Sequence, residues 1–348
     1  VHARAPETAG QHPRQAFSNV QGLLSLALQP VFQACFPSEK TALPTNHSQA
    51  TTFQKLPALR KKLVPFAYLS PTLLLLAMLS LLPITMVFFY SLQDNVIMNK
   101  TPQWVGFENY IKILGDSVFQ QALLNTLYFT GMSVLFHLLL GLAFALLLNT
   151  RLIGPLPKAL FRMVYILPWV FTATIIAILW RLLLNPNGVL NYLLLWTGLV
   201  SDKIEWLSSR QLALHTVTFI NIWAGYPFYM VSLLAGLQGI PDELYEAGRI
   251  DGANGRQLFR FITLPQLTPI IVSLAMLDFI WTMQQFTLIW MTTGGGPIRV
   301  TEMLSTFTYK LAFSSYEFSL ASTSAFVILL LSMGVAWFYV RKQRASDE

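Results

Sequence analysis

The sequence predicts an all-α integral membrane protein with six transmembrane helices. Hydrophobic residues make up 54% of the 348-residue chain and charged residues only 11%, where a soluble domain carries about 25% charged residues. Six apolar runs are each long enough to cross a hydrocarbon core about 30 Å thick, which takes ~20 helical residues. The basic residues between the runs cluster on alternate segments, so one side of the membrane collects them.

Residues 1–62 precede the first run and read as a separate region, rich in Pro, Ser, Thr and Gln with no sustained period. Val20–Phe36 is moderately apolar, but Gln21, Gln29, Pro30 and Gln33 interrupt it, so it is neither a span nor a signal-peptide core. The expectation is a mostly disordered cytoplasmic tail. A natural start near Lys55 and an amphipathic helix on the membrane surface are alternatives that the sequence leaves open. Cys35 is the only cysteine, which excludes an intramolecular disulfide or a thiolate metal site.

The six runs are Leu63–Leu92, Leu123–Leu148, Leu160–Leu184, Leu212–Gly239, Leu267–Met291 and Phe318–Val340. They set a transmembrane domain over 63–341, followed by a short cytoplasmic tail at 342–348. Val189–Val200 is too short to span and is expected as an external interfacial helix. Arg60, Lys61 and Lys62, then Arg151, Lys158 and Arg162, then Arg249, Arg256 and Arg260, then Arg341, Lys342 and Arg344 all fall on one side. The opposite segments carry Lys100, Lys112, Lys203, Arg210, Arg299 and Lys310, spread over longer stretches. Both termini are therefore expected in the cytoplasm, and the net charge of +7 reflects topology rather than nucleic-acid binding.

Between the fourth and fifth runs lies a polar island, Glu246 to Pro265. Pro241, Asp242 and Glu243 supply the proline and early acids of a helix start. Gly252 and Gly255 break the pattern, and Leu258, Phe259, Ile262 and Leu264 resume a helical spacing. The expectation is a short helix, a sharp turn and a second short helix lying across a membrane face, with Pro265 opening the next span.

This island resembles the EAA loop of permease subunits of binding-protein-dependent ABC importers, of the maltose and glycerol-phosphate type. Glu246, Ala247, Gly252, Ile262, Leu264 and Pro265 carry the resemblance, Gly248 stands where the family usually has a second alanine, and Asp251 belongs to the same coupling loop. Trp104–Tyr110 looks like the family's lead-in to the second span. Thr293-Gly294-Gly295-Gly296-Pro297 with Thr301-Glu302 looks like its loop after the fifth. The resemblance covers Leu63 to Arg341. It implies the maltose-type permease fold, in which this loop, 241–265, forms a coupling helix that docks into a cytoplasmic ATPase. It further implies a bacterial inner-membrane complex with a second permease subunit, two ATPase subunits and an external solute-binding protein.

Asn221, Trp223, Gly225, Tyr226, Pro227, Phe228 and Tyr229 put an amide, aromatic rings and a helix-interrupting Gly-Tyr-Pro into one span, where freed backbone groups must face protein or a wet cavity. Aromatic faces stack on sugar rings and amides meet hydroxyls, so this mix suits a carbohydrate. By resemblance, the solute is a sugar, an oligosaccharide or a glycerol-phosphate-like compound, and its path takes in Asn221, Ala224, Gly225 and Phe228, then Asp278, Thr282 and Gln285 on the following span. Phe228 and Asp278 depart from the family's pattern. Asp278 lies well inside the fifth run, where an acid usually faces a pathway or the bundle interior. Its other reading is a structural partner for His137 or His215.

The sequence lacks a Gly-x-x-x-x-Gly-Lys-Ser/Thr loop, so ATP and magnesium are expected on the partner ATPase, and no cofactor or metal on this chain. A secondary transporter or channel for a small polar solute is the rival class. It would carry coupling ions on several intramembrane charges and show a repeat of broken helices. A membrane-embedded enzyme would need convergent catalytic groups, which the scattered His, Asp and Glu residues do not supply.

Overall fold

The computed structural model describes residues 68–98, 101–150 and 154–347. The expectations for residues 1–62 fall outside them. The chain divides into two units, Val1–Pro71 and Thr72–Glu348, the boundary falling one turn into the first described helix.

The described residues are helical throughout, apart from turns and a single bridge between Gln93 and Trp104. Helix α1 (Tyr68–Ser91) carries one wide turn at Ala77–Leu81. Helices α2 (Glu108–Gly115) and α3 (Ser117–Asn149) follow, hinged at Asp116, whose side chain accepts from the Val118 N–H. The segment 104–110 that resembled a lead-in is fastened by Asn109, which donates to the carbonyls of Ser91 and Gln93 at 2.9 Å each.

The third apolar run does not cross straight. It forms α4 (Pro155–Val170) and α5 (Ala173–Leu183), bent by 98°. Pro168 has no N–H to give the preceding turn, Phe171 and Thr172 are extended, and Thr172 caps α5. Helix α6 (Val189–Trp196) is short, as expected from its length.

Helix α7 (Ala213–Gln238) runs unbroken through Gly225-Tyr226-Pro227. The expected interruption is therefore absent: one missing N–H is tolerated inside a helix whose buried face packs against its neighbours. After α8 (Asp242–Ile250), helix α9 (Gly255–Met283) starts within the polar island and includes a wide turn at Phe259–Thr263. The expected second short helix is thus the opening of the fifth span itself. That span in turn ends early. Gln284, Gln285 and Phe286 break it, and α10 (Thr287–Thr292) resumes beyond them. The carbonyl of Gln285 is taken by Ser305 Oγ at 2.8 Å, so the break is held from outside the helix. Helix α11 (Leu304–Phe313) occupies a segment read as external loop, and α12 (Phe318–Asp347) closes the chain. Among the described residues, five helices are long and apolar enough to cross a membrane alone, six if the bent pair counts as one span.

The centre of the bundle is the parallel pair α3 and α7, whose contacts step together from Tyr128 with His215 through Ser133 with Asn221 to Gly141 with Tyr229. A Cβ on Gly141 would sit 2.4 Å from Tyr229 Cβ, so the glycine sets how closely these helices approach. Around them, Phe129, Ile176, Ile220, Leu288 and Met303 fill one buried cluster, and Ala145, Leu233, Leu267 and Leu274 another.

Between α10 and α11, Glu302 is 1% exposed. Lys310 Nζ lies 2.5 Å from its Oε2, and Thr306 Oγ1 donates to its Oε1 at 2.6 Å. A buried carboxylate needs such partners. Gly295 makes the room: its φ is +90°, and a Cβ there would lie 2.6 Å from Glu302 Oε2. Asn125 of α3 donates to the carbonyls of Val300 and Glu302, which pins the whole turn to the central pair.

Candidate functional site

A stripe of polar side chains lines the inside of α3, with Thr126, Thr130, Ser133 and His137 recurring every three or four residues and all buried. That spacing keeps them on one helical face. Opposite them stand Asn221 of α7 and Asp278 and Thr282 of α9, themselves one turn apart and buried. Asn221 donates to Ser133 Oγ at 2.9 Å. His137 reaches further: its Nδ1 lies 2.8 Å from Asp278 Oδ2 and its Nε2 3.0 Å from the Asn221 carbonyl. Thr282 Oγ1 donates to the other Asp278 oxygen at 2.9 Å.

The imidazole fits only because position 225 has no side chain. A Cβ on Gly225 would lie 2.3 Å from His137 Nε2. Gly225, expected as part of a helix break, instead gives up its side-chain volume to the ring. Leaving a carboxylate buried without a partner costs several kcal/mol, and here both Asp278 oxygens are met.

Beside this network lies a cavity of about 280 Å³, lined by His137, Asn221, Ala224, Gly225, Asp278, Thr282 and Gln285. The bend between α4 and α5 forms its other wall through Pro168, Trp169, Phe171 and Ala173, with Trp281 at its side. Six of the seven predicted path residues thus border one space. Phe228 does not. It packs instead between Trp169 and Trp281, with ring centroids 5.9 Å from each. Of the two candidate partners for Asp278, His137 is the one in contact, while His215 pairs with Tyr128. The sequence carried the signal for His137 as a histidine inside an apolar run, but not its depth or partner.

At one end of the bundle, α8 and the start of α9 fold back on each other. Glu246 and Ala247 are exposed, as is Asp251. Gly252 turns the chain at φ +81° with open space around it, a conformation that a Cβ makes costly. Asn254 and Gln257 form a reciprocal capping box that starts α9. Gly248 faces inward: a Cβ there would meet Leu258 Cδ2 at 2.7 Å and Ile262 Cδ1 at 3.1 Å, so its lack of a side chain lets the two helices close. Tyr245 Oη and Thr263 Oγ1, 3.0 Å apart, tie them together. Leu264 and Pro265 are exposed at the helix surface.

The family model for the binding-protein-dependent transport system inner membrane component matches residues 137–345, a stretch that includes His137, the cavity and the folded-back loop. This chain belongs to that family. It is a permease subunit of an ABC importer, a transport component rather than an enzyme, and family membership removes the secondary-transporter reading. The permease is 33% identical over 290 residues to the probable ABC transporter permease protein YurN of Bacillus subtilis, covering 83% of this chain and 99% of that one. It is 31% identical to the trehalose/maltose transport system permease protein MalF of Thermococcus litoralis, covering 82% and 95%. Among solved structures, a bacterial ABC transporter that imports the acidic polysaccharide alginate matches with a TM-score of 0.71 at 23% identity, over 82% of this chain and 97% of that one. That likeness establishes the fold.

Proposed function

We propose that this permease carries a sugar or short oligosaccharide along the cavity between the α4–α5 bend, α7 and α9, and that the α8–α9 loop couples its movement to ATP hydrolysis. The observation that carries the reading is the cavity's lining, which sets the indoles of Trp169 and Trp281 beside the amides of Asn221 and Gln285 and the hydroxyl of Thr282. Indole faces cover the apolar faces of a pyranose, and amides and hydroxyls replace the water its hydroxyl groups lose. The relatives lend support by their names: trehalose/maltose, sulfoquinovosyl glycerol and diacetylchitobiose permeases.

In this reading a second permease supplies the facing wall, an external binding protein delivers the solute, and two ATPase subunits hold ATP and magnesium. Inside-out access would then alternate with outside access as the ATPases close and open. In membrane vesicles bearing the full complex, labelled maltose, trehalose or diacetylchitobiose should accumulate only with ATP and the binding protein. Accumulation driven by an ion gradient without ATP would discard the reading.

The one-sided basic residues support an orientation with both termini and the α8–α9 loop in the cytoplasm of a bacterial cell, the chain being multi-pass in the inner membrane. A reporter active only in the cytoplasm should work when fused after Arg162, near Gly255 or after Glu348, and fail near Ser201 or Ile298. The reverse pattern would overturn the orientation and, with it, docking of an ATPase on this loop.

A further inference from the structure

We propose that His137 holds this permease's wall of the path at zero net charge, and that the wall thereby selects an uncharged sugar over an acidic one. The inference rests on the sugar-path reading above and narrows its solute class. It follows from counting donors and acceptors around one ring. A carbonyl oxygen only accepts, so the 3.0 Å contact between His137 Nε2 and the Asn221 carbonyl fixes a proton on Nε2. Nδ1 and Asp278 Oδ2, 2.8 Å apart, then share one further proton. If that proton sits on nitrogen, an imidazolium faces a carboxylate. If it sits on oxygen, a neutral imidazole faces a carboxylic acid. The pair sums to zero in both cases.

No other described residue bordering the cavity carries a formal charge. From α3 the pair is faced by His137 itself, from α7 by the Tyr229 ring, centred 5.9 Å from the imidazole, and from α9 by the hydroxyl of Thr282. Arg181 and Glu205 border a different cavity, with Thr293 and Pro297. An acidic sugar entering this space would shed its hydration against a wall that returns no positive charge, a loss that paired burial alone avoids. A neutral sugar meets hydroxyl, amide, indole and apolar groups beside the neutralised pair. Asp278 is thus a positioned element of the wall, with Oδ2 turned to His137 and Oδ1 to Thr282, and His137 is the residue that positions it.

The test uses vesicles bearing the full complex and two probes per sugar: labelled maltose, trehalose and diacetylchitobiose, and the counterpart of each with one CH₂OH oxidised to a carboxylate. The parent should take up the acidic counterpart of its preferred sugar at least about tenfold more slowly than the neutral form, since an isolated charge is costly to bury. His137→Gln leaves the Asp278 carboxylate without its proton-sharing partner and should lower neutral-sugar uptake by about tenfold or more. Adding Asp278→Asn to His137→Gln removes the orphaned charge and should recover most of that loss, because coupled residues are non-additive. Co-purification of the ATPase establishes that each variant assembles. Equal uptake of acidic and neutral probes, or a double variant no better than His137→Gln, overturns the proposal while leaving the sugar reading intact. ATP-dependent uptake of none of the six probes by the parent overturns both.

Discussion

Glu246→Ala and Gly252→Val are expected to abolish ATP-driven uptake or reduce it sharply, by different routes. Glu246 projects from an exposed face of α8 at the end of the bundle, and nothing within the permease engages it among the described contacts. Its partner is therefore sought outside this chain, and a basic group in the ATPase cleft is the complementary choice. Truncating one member of an interfacial charge pair commonly costs ~2 to 5 kcal/mol, enough to release the ATPase or to leave it bound and unresponsive. Gly252 acts through backbone alone. Its φ of +81° sits in open space, so a side chain there meets no neighbour, and the penalty is the left-handed conformation, about 1 to 2 kcal/mol for most residues and larger for a β-branched one. Gly252→Asn should accordingly be milder than Gly252→Val. Co-purification of the ATPase and solute-stimulated hydrolysis in membranes give the two readouts. Normal values of both for Glu246→Ala would refute the coupling role of the loop.

Gly225→Val is the second large effect. The added Cβ falls 2.3 Å from His137 Nε2, and the ring has no slack to yield. Its two nitrogens are committed to Asp278 and the Asn221 carbonyl. The ring must move, and the move leaves the Asp278 carboxylate without its partner, a loss of about 3 to 5 kcal/mol when a buried pair is broken from one side. Uptake should fall to a few per cent of the parent or less, with a lower melting temperature for the purified complex. Gly225→Ala should give a smaller loss of the same kind. Gly131→Ala is the control, since a Cβ there meets nothing within 4 Å. Parent-like uptake in Gly225→Val would mean that the ring is free to swing aside and that the close approach has no consequence for transport.

How much of this was legible beforehand differs from helix to helix. The spans announced themselves by length and hydropathy, and α8 by Pro241 and its acids, because those signals are local. The bend at Phe171 was half legible, since Pro168 stood inside an apolar run. What the sequence did not convey is how far the chain turns once a proline and two extended residues coincide. The break at Gln284–Phe286 had no signal at all: no glycine or proline marks it, and its carbonyl is claimed by Ser305, twenty residues on. Conversely, Gly225 and Pro227 looked like a break and were not one. The glycine is spent on a histidine from another helix, and that contact is invisible to any reading of α7 by itself. Likewise Gly248, seen in the sequence as standing where the family usually has an alanine, faces Leu258 and Ile262 within the loop.

The unbroken run of α9 has a mechanical consequence. A single rod begins at the folded-back loop and carries Asp278 near its far end. Twenty-three residues separate Gly255 from Asp278, which at 1.5 Å of rise each makes an arm of about 34 Å. A tilt of only about 3° at the loop would swing the carboxylate sideways by roughly 2 Å, on the same 1.5 Å rise. Hydrogen bonds lengthened by that much no longer hold. A motion of that size is therefore large enough to pull Asp278 off His137, so under the coupling proposed above leverage along one helix carries a displacement from the loop to the path without any relay of side chains between them.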